Sequence, residues 1–88
     1  MTEQIYNRIA MLRVERNISR RQLAEALGVH YQTVGYLERG EYAPSLHLAL
    51  RIARLFDVPV EAVFSLEPFG PLGVDALMTR PAGNPDRR

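Results

Sequence analysis

Apolar residues recur at helical spacing along the first two thirds of the chain, with polar residues between them. A first helix is predicted over about residues 2–16 on this spacing. Its inward face would carry Ile5, Ile9, Leu12 and Arg16. Asn17 follows, and asparagine tolerates the left-handed backbone conformation that ends many helices. We therefore expect an amphipathic helix from Thr2 to Arg16 that stops at Asn17.

A second and a third helix are predicted close together, over about residues 20–27 and 31–38. Ser19 and Gln22 form the capping-box pattern that begins a helix. Gly28 ends the second helix, because glycine adopts a positive φ without strain. The inward positions of the two helices would be Leu23, Ala24, Leu27, Val34 and Leu37. This phase turns the polar side of the third helix outward.

Two further helices and a tail complete the pattern. Ser45 is predicted to cap a fourth helix that ends near Phe56, and Pro59 suits the first turn of a short fifth helix that ends near Ser65. The inward face of the fourth helix would carry Leu46, Ala49, Leu50, Ala53 and Phe56. Residues 67–88 hold four of the six prolines and three of the six glycines. We therefore expect a helical domain over residues 1–66 and an irregular tail over 67–88.

The tail itself has two parts. Residues 69–78 are too apolar for a pure linker, so they are expected to contribute to a dimer surface together with the fifth helix. The last eight residues have the composition of a disordered terminus.

Composition narrows the class of protein. The chain has 88 residues, enough for one small domain. It has no cysteine, which excludes disulfides, a thiolate nucleophile and a thiolate metal site. No apolar run approaches the roughly 18 residues that a membrane span needs, and the N-terminus lacks the pattern of a signal peptide. A cytoplasmic protein is therefore expected.

Residues 20–38 carry the sequence features of a helix-turn-helix motif: two helices, a short turn with Gly28, and the small Ala24 where the helices cross. Residues 5–64 resemble the phage repressor and Cro type of regulator, the Xre group. The segments that carry the resemblance are LAEALGV, the QT-V-xx-LE-x-G pattern and PSLxLALRIAxxFDV. It implies an all-α, five-helix, lambda-repressor-like bundle that binds operator DNA, usually as a dimer on a palindromic site.

The resemblance also implies roles for individual residues. The base contacts would come from Tyr31, Gln32, Thr33 and Tyr36, with Thr33 close to a base or to the backbone. The phosphate contacts would come from Ser19, Arg20, Gln22, Arg39 and Ser45, and the charge of Arg21 makes it a further phosphate contact. Arg13 of the first helix would form a structural ion pair with Glu38 of the third.

Physical chemistry agrees with this assignment at two points. A glutamine such as Gln32 can pair bidentately with adenine in the major groove. The N-terminal amides of the second helix, capped by Ser19, suit a phosphate oxygen.

Three residues depart from the family pattern. His30 stands where a serine or threonine usually caps the third helix, and we interpret it as a substitute cap. Gly35 lies in the exposed middle of that helix, at a cost of about 1 kcal/mol relative to alanine. It either brings the helix closer to the groove floor or removes a contact. Glu41 stands where a basic residue is common and would weaken one phosphate contact.

These patterns favour a sequence-specific regulator of transcription, a repressor that acts as a homodimer in association with the nucleoid. The alternative is an antitoxin or other protein-interaction module that uses the same fold, with the tail holding a partner protein. An enzyme is not expected, because the sequence has no HExxH, GxSxG or phosphate-loop motif. No cofactor, metal or membrane is expected as a partner.

Overall fold

Five helices and a small antiparallel sheet make up the part of the chain that the computed structural model describes, residues 3–70. In chain order the elements are β1 Tyr6–Asn7, α1 Ile9–Glu15, α2 Arg20–Leu27, α3 Tyr31–Glu38, α4 Leu46–Phe56, α5 Val60–Val63 and β2 Phe64–Ser65. The predicted helical architecture is confirmed. The predictions for the last eight residues and for most of residues 69–78 lie outside the described residues.

The first helix is shorter than predicted and is preceded by a strand. Tyr6 pairs with Ser65 and Asn7 with Phe64, so the backbone before α1 is extended rather than helical. The amide of Arg8 donates to the carbonyl of Val63 at 2.8 Å. These bonds connect the start of the chain to the end of α5, and the periodicity of the sequence gave no sign of them.

This strand changes the inward face that was predicted for the first helix. Ile9 and Leu12 are buried as expected, but Ile5 is exposed beside the sheet. Arg16 is exposed too, although its Nη2 donates to the carbonyl of Phe56 at 2.9 Å. Arg16 therefore closes the end of α4 instead of entering the core.

The predicted junction between α2 and α3 is confirmed. Ser19 Oγ accepts the amide of Gln22 at 3.0 Å, and Gln22 Oε1 accepts the amide of Ser19 at 2.8 Å. Asn17 and Gly28 both have the left-handed conformation that was expected, with φ of 57° and 70°. These local interactions place α3 against α2 at a fixed turn.

The inward face of α4 differs from the prediction. Ile52 is fully buried with Ala53 and Phe56, whereas Leu46 is 74% exposed and Leu50 50% exposed. The buried stripe is therefore rotated by part of a turn from the one predicted. The core that results is formed by Ile9, Leu12, Leu23, Ala24, Leu27, Val34, Leu37, Ile52, Ala53, Phe56 and Val63.

The corrected face of α4 can be tested with two truncations. Ile52→Ala should lower the free energy of unfolding by about 2–5 kcal/mol, because it leaves a cavity at a fully buried position. Leu46→Ala is the matched control and should change it by no more than about 0.5 kcal/mol. Urea unfolding followed by circular dichroism measures both, and equal effects would contradict the observed orientation of α4.

Candidate nucleic-acid interface

The exposed side of α3 is polar and aromatic. Tyr31, Gln32 and Tyr36 are exposed, while Thr33 is half-buried. The opposite side of the helix carries Val34 and Leu37, which are buried in the core. Three of the four residues predicted to contact bases therefore share an accessible surface, and Thr33 lies partly behind it.

His30 caps α3, as the sequence suggested. Its Nδ1 accepts the amide of Gln32 at 3.2 Å, in the place that a serine or threonine oxygen would take. The imidazole thereby satisfies one of the free amides at the start of the helix. His30 is an element of the helix terminus, and it leaves the side chain of Gln32 free to point outward.

The N-terminus of α2 lies beside this face. Ser19 and Gln22 are occupied with each other in the capping box. The amides of Arg20 and Arg21, the first two of the helix, have no intrahelical acceptor and carry the positive end of the helix dipole. An anion placed here would meet two free N–H donors.

The two arginines at this end of α2 have different surroundings. The guanidinium of Arg21 lies 5.1 Å from the ring centre of Tyr31, and Arg21 has no acidic partner among residues 3–70. Arg20 instead donates from Nε to Glu38 Oε1 at 2.9 Å. That hydrogen bond and the negative charge of Glu38 raise the pKa of Arg20 above its usual value. Arg21 is thus the freer of the two cations.

Glu38 is the centre of an ion-pair cluster at the end of α3. The predicted contact with Arg13 is present, with Arg13 Nε 2.6 Å from Glu38 Oε2. The side chain of Glu38 is 4% exposed and that of Arg13 is 13% exposed, whereas Arg20 is 49% exposed. Arg13 also donates to the carbonyl of Ile18 at 3.0 Å. One nearly buried carboxylate therefore joins α1, α2 and α3.

Asn7 positions the same end of α3 and was missed by the sequence analysis. Its Nδ2 donates to the carbonyl of Leu37 at 2.9 Å, and its Oδ1 accepts the amide of Ile9 at 3.0 Å. The residue was hidden within a predicted helix, where its polarity matched the expected pattern. In the structure α1 begins only at Ile9, so Asn7 lies in a strand, from which its side chain reaches the end of α3.

The two loop residues predicted to hold phosphates differ in availability. Ser45 caps α4 by accepting the amide of Leu48 at 3.1 Å, and its hydroxyl proton remains able to donate. Arg39 lies 3.1 Å from a carboxylate oxygen of Glu41 and 5.2 Å from the ring centre of Tyr36. Arg39 therefore lies along α3 beside Tyr36 and Glu41, although its side chain is still 54% exposed.

Two further properties of the described residues bear on the kind of site. Residues 3–70 contain no group of three His, Cys, Asp or Glu residues that could hold a metal ion. Within the same range, no helix has the length and apolar character required to cross a membrane.

Comparison with known proteins is consistent with this geometry. The family model described as Helix-turn-helix matches residues 9–63. An uncharacterised HTH-type transcriptional regulator of Bacillus subtilis is 44% identical over 61 residues, which span 69% of this chain and 92% of that protein. A similar regulator of Archaeoglobus fulgidus is 42% identical over 57 residues, 65% of this chain and 80% of that protein.

A solved structure supports the same likeness. The restriction-modification controller protein C.AhdI of Aeromonas hydrophila superposes with a TM-score of 0.58 at 31% identity. The match covers 62% of this chain and 83% of the controller protein.

The ion-pair cluster makes a testable prediction about stability. Arg13→Ala leaves the buried carboxylate of Glu38 with only the half-exposed Arg20 as a partner. We expect the free energy of unfolding to fall by more than about 1 kcal/mol and at most about 3–5 kcal/mol, since a nearly buried charge loses its main counter-charge while Arg20 remains. Urea unfolding at neutral pH measures the loss.

Glu41→Gln provides the control for this measurement. It breaks an ion pair whose two side chains are each 54% exposed, so the expected loss is below about 1 kcal/mol. If Arg13→Ala lowers the free energy of unfolding by no more than this control does, the ion-pair cluster around Glu38 does not stabilise the fold as described.

Proposed function

We propose that this chain reads the major groove of a specific operator with α3 and contacts the adjacent phosphates with α2. The chain belongs to the helix-turn-helix family of DNA-binding transcriptional regulators. Base contacts would come from Tyr31, Gln32 and Tyr36, with Thr33 at the edge of the groove. It would act by binding alone, without catalysis, in the cytoplasm with the nucleoid. Occupancy of the operator would repress transcription.

The exposed face of α3 is the observation that carries this proposal. An α-helix fits the major groove, and the side chains near its N-terminus are those that meet base edges. Tyr31 and Gln32 occupy the first turn of α3 and are exposed. The amide group of Gln32 suits adenine, and a tyrosine ring can contact a thymine methyl.

The phosphate contacts are supported by the end of α2. Its free amides and the positive end of the helix dipole favour an anion, and Arg21 adds a cation without an acidic partner in the described range. The hydroxyls of Ser19 and Ser45 and the side-chain Nε2 of Gln22 can each donate once their capping bonds are made. Arg20 contributes through its exposed part while it supports Glu38. Affinity should then fall as the salt concentration rises.

A homodimer on a palindromic operator is part of the proposal. One subunit offers few side chains to bases, and two subunits on half-sites about one helical turn apart double them. A hollow beside α5 supports a dimer surface at that end, because Ile5, Phe64 and Leu66 line it together with Glu61 and Glu67. The tail, residues 67–88, would extend this surface through its apolar first part.

Base recognition can be tested by selecting bound duplexes from a randomised library with the purified protein at stated salt. Gln32→Ala should relax the preference at one base pair of each half-site by about 1–3 kcal/mol. Arg21→Ala should weaken binding to all sequences about equally and make the salt dependence shallower. An unchanged preferred site for Gln32→Ala would show that α3 is wrongly placed in the groove.

The dimer surface can be tested by measuring mass in solution. We expect the parent chain to be a dimer in sedimentation equilibrium and Leu66→Glu to shift it to a monomer, since a buried charge would oppose association. Leu46→Glu is the matched control, because Leu46 is also exposed but lies on α4. A monomeric parent that forms a stable complex with a different protein would favour the antitoxin alternative.

A further inference from the structure

We infer that Arg39 reads a base edge, and that it selects guanine from the place that Gly35 leaves empty on the surface of α3. The inference rests on the proposed function and refines it at one position. It replaces the phosphate contact that the family pattern implies for Arg39, and it gives Gly35 a role.

Arg39 lies on the same face of α3 as the proposed reading residues. It follows Gly35 by four positions and Tyr36 by three, and its backbone is still close to helical at φ −84° and ψ −3°. Side chains on a helix lean toward its N-terminus, over the residue four positions earlier. Arg39 therefore leans back across α3 toward Gln32, and all four residues line one hollow.

The absence of a side chain at Gly35 makes room for this arrangement. A Cβ added at Gly35 would lie 3.2 Å from Arg39 Nη1 and 3.9 Å from Cζ. A Cβ at position 35 would therefore crowd the guanidinium, and a longer side chain there would compete with it for the same space. The guanidinium of Arg39 thus provides a polar group beside the middle of α3, where Gly35 has no side chain.

Two neighbours set the orientation of the guanidinium. Nη2 donates to Glu41 Oε1 at 3.3 Å, and Nε lies 3.1 Å from Glu41 Oε2. The ring of Tyr36 lies beneath, 5.2 Å from Cζ. Glu41 is itself tethered, because its amide donates to the carbonyl of Tyr36 at 2.9 Å. The edge formed by Nε and Nη2 is therefore occupied, and the end formed by Nη1 and the second N–H of Nη2 is left to contact a ligand.

The carboxylate of Glu41 favours a guanine contact by Arg39 over a phosphate contact. A phosphate bound to Arg39 would lie close to a second negative charge that already holds one edge of the guanidinium. A guanine edge is uncharged and presents two acceptors, O6 and N7, which match the fork of an arginine. The arrangement opposes a phosphate and permits a guanine.

The substitution Arg39→Lys tests the inference in the full-length protein. Lysine keeps the positive charge but loses the planar fork. In selection from a randomised duplex library, the parent should prefer a G·C pair at one position of each half-site. Arg39→Lys should reduce that preference by roughly 5- to 150-fold, the range that one bidentate base contact supplies. Arg54→Lys, on the exposed side of α4, is the matched control and should select the parental sequence.

A second variant tests the role of Gly35 separately. Gly35→Leu fills the space beside α3 while Arg39 remains, and leucine is a better helix former than glycine. It should lose the preference at the same base pair as Arg39→Lys. Circular dichroism establishes that each variant is folded.

The inference is overturned if Arg39→Lys selects the parental sequence, or if it lowers affinity for every sequence by the same factor, as loss of a phosphate contact would. It is also overturned if Gly35→Leu leaves the preference at that base pair intact. In each of these cases the parent still enriches an operator, so the proposed function stands. A parent that enriches no sequence overturns the proposed function and this inference together.

Discussion

The carboxylate of Glu38 is the constraint on which the arrangement of the helices depends. A nearly buried negative charge requires counter-charges, and here α1 supplies Arg13 and α2 supplies Arg20. The carboxylate belongs to the last residue of α3, so satisfying it fixes α3 against both of its neighbours. Apolar packing alone would bring these helices together. The ion pairs add direction, because both guanidinium groups must reach the same carboxylate of α3.

The remaining polar contacts complete the fixation of α3 at its two ends. His30 satisfies an amide at the N-terminus, and Asn7 holds the carbonyl of Leu37 at the C-terminus. Asn7 itself belongs to β1, which pairs with β2. Hydrogen bonds therefore connect the small sheet directly to the C-terminal end of α3. A helix fixed in this way presents its outward side chains without ordering on binding, and preorganisation of that kind favours affinity and specificity.

The parts of the structure that the sequence predicted correctly are those that local interactions decide. The capping box at Ser19, the glycine turn and the buried positions of α2 and α3 depend on residues a few positions apart. The start of α1 was predicted wrongly, because the pairing of Tyr6 with Ser65 joins segments that are distant in sequence. The face of α4 was ambiguous by part of a turn, since leucines occur on both sides of it and only packing distinguishes Leu46 from Ile52. At the candidate interface, periodicity identified the outward residues of α3, but it could not identify which acids pair with Arg20 and Arg39.

Those ion pairs affect how strongly the candidate interface would bind DNA of any sequence, compared with a specific sequence. Of the three arginines beside the exposed face of α3, Arg20 is engaged by Glu38 and Arg39 by Glu41, so Arg21 alone has no acidic partner in the described part of the chain. Contacts between free cations and phosphates supply most of the binding to arbitrary DNA. An interface that neutralises two of its three cations internally has a weakened sequence-independent component. Discrimination is the ratio of specific to non-specific binding. If α3 contacts DNA as proposed, pairing these arginines with acids would raise that ratio as long as the base contacts are kept, in a chain whose net charge is only +1.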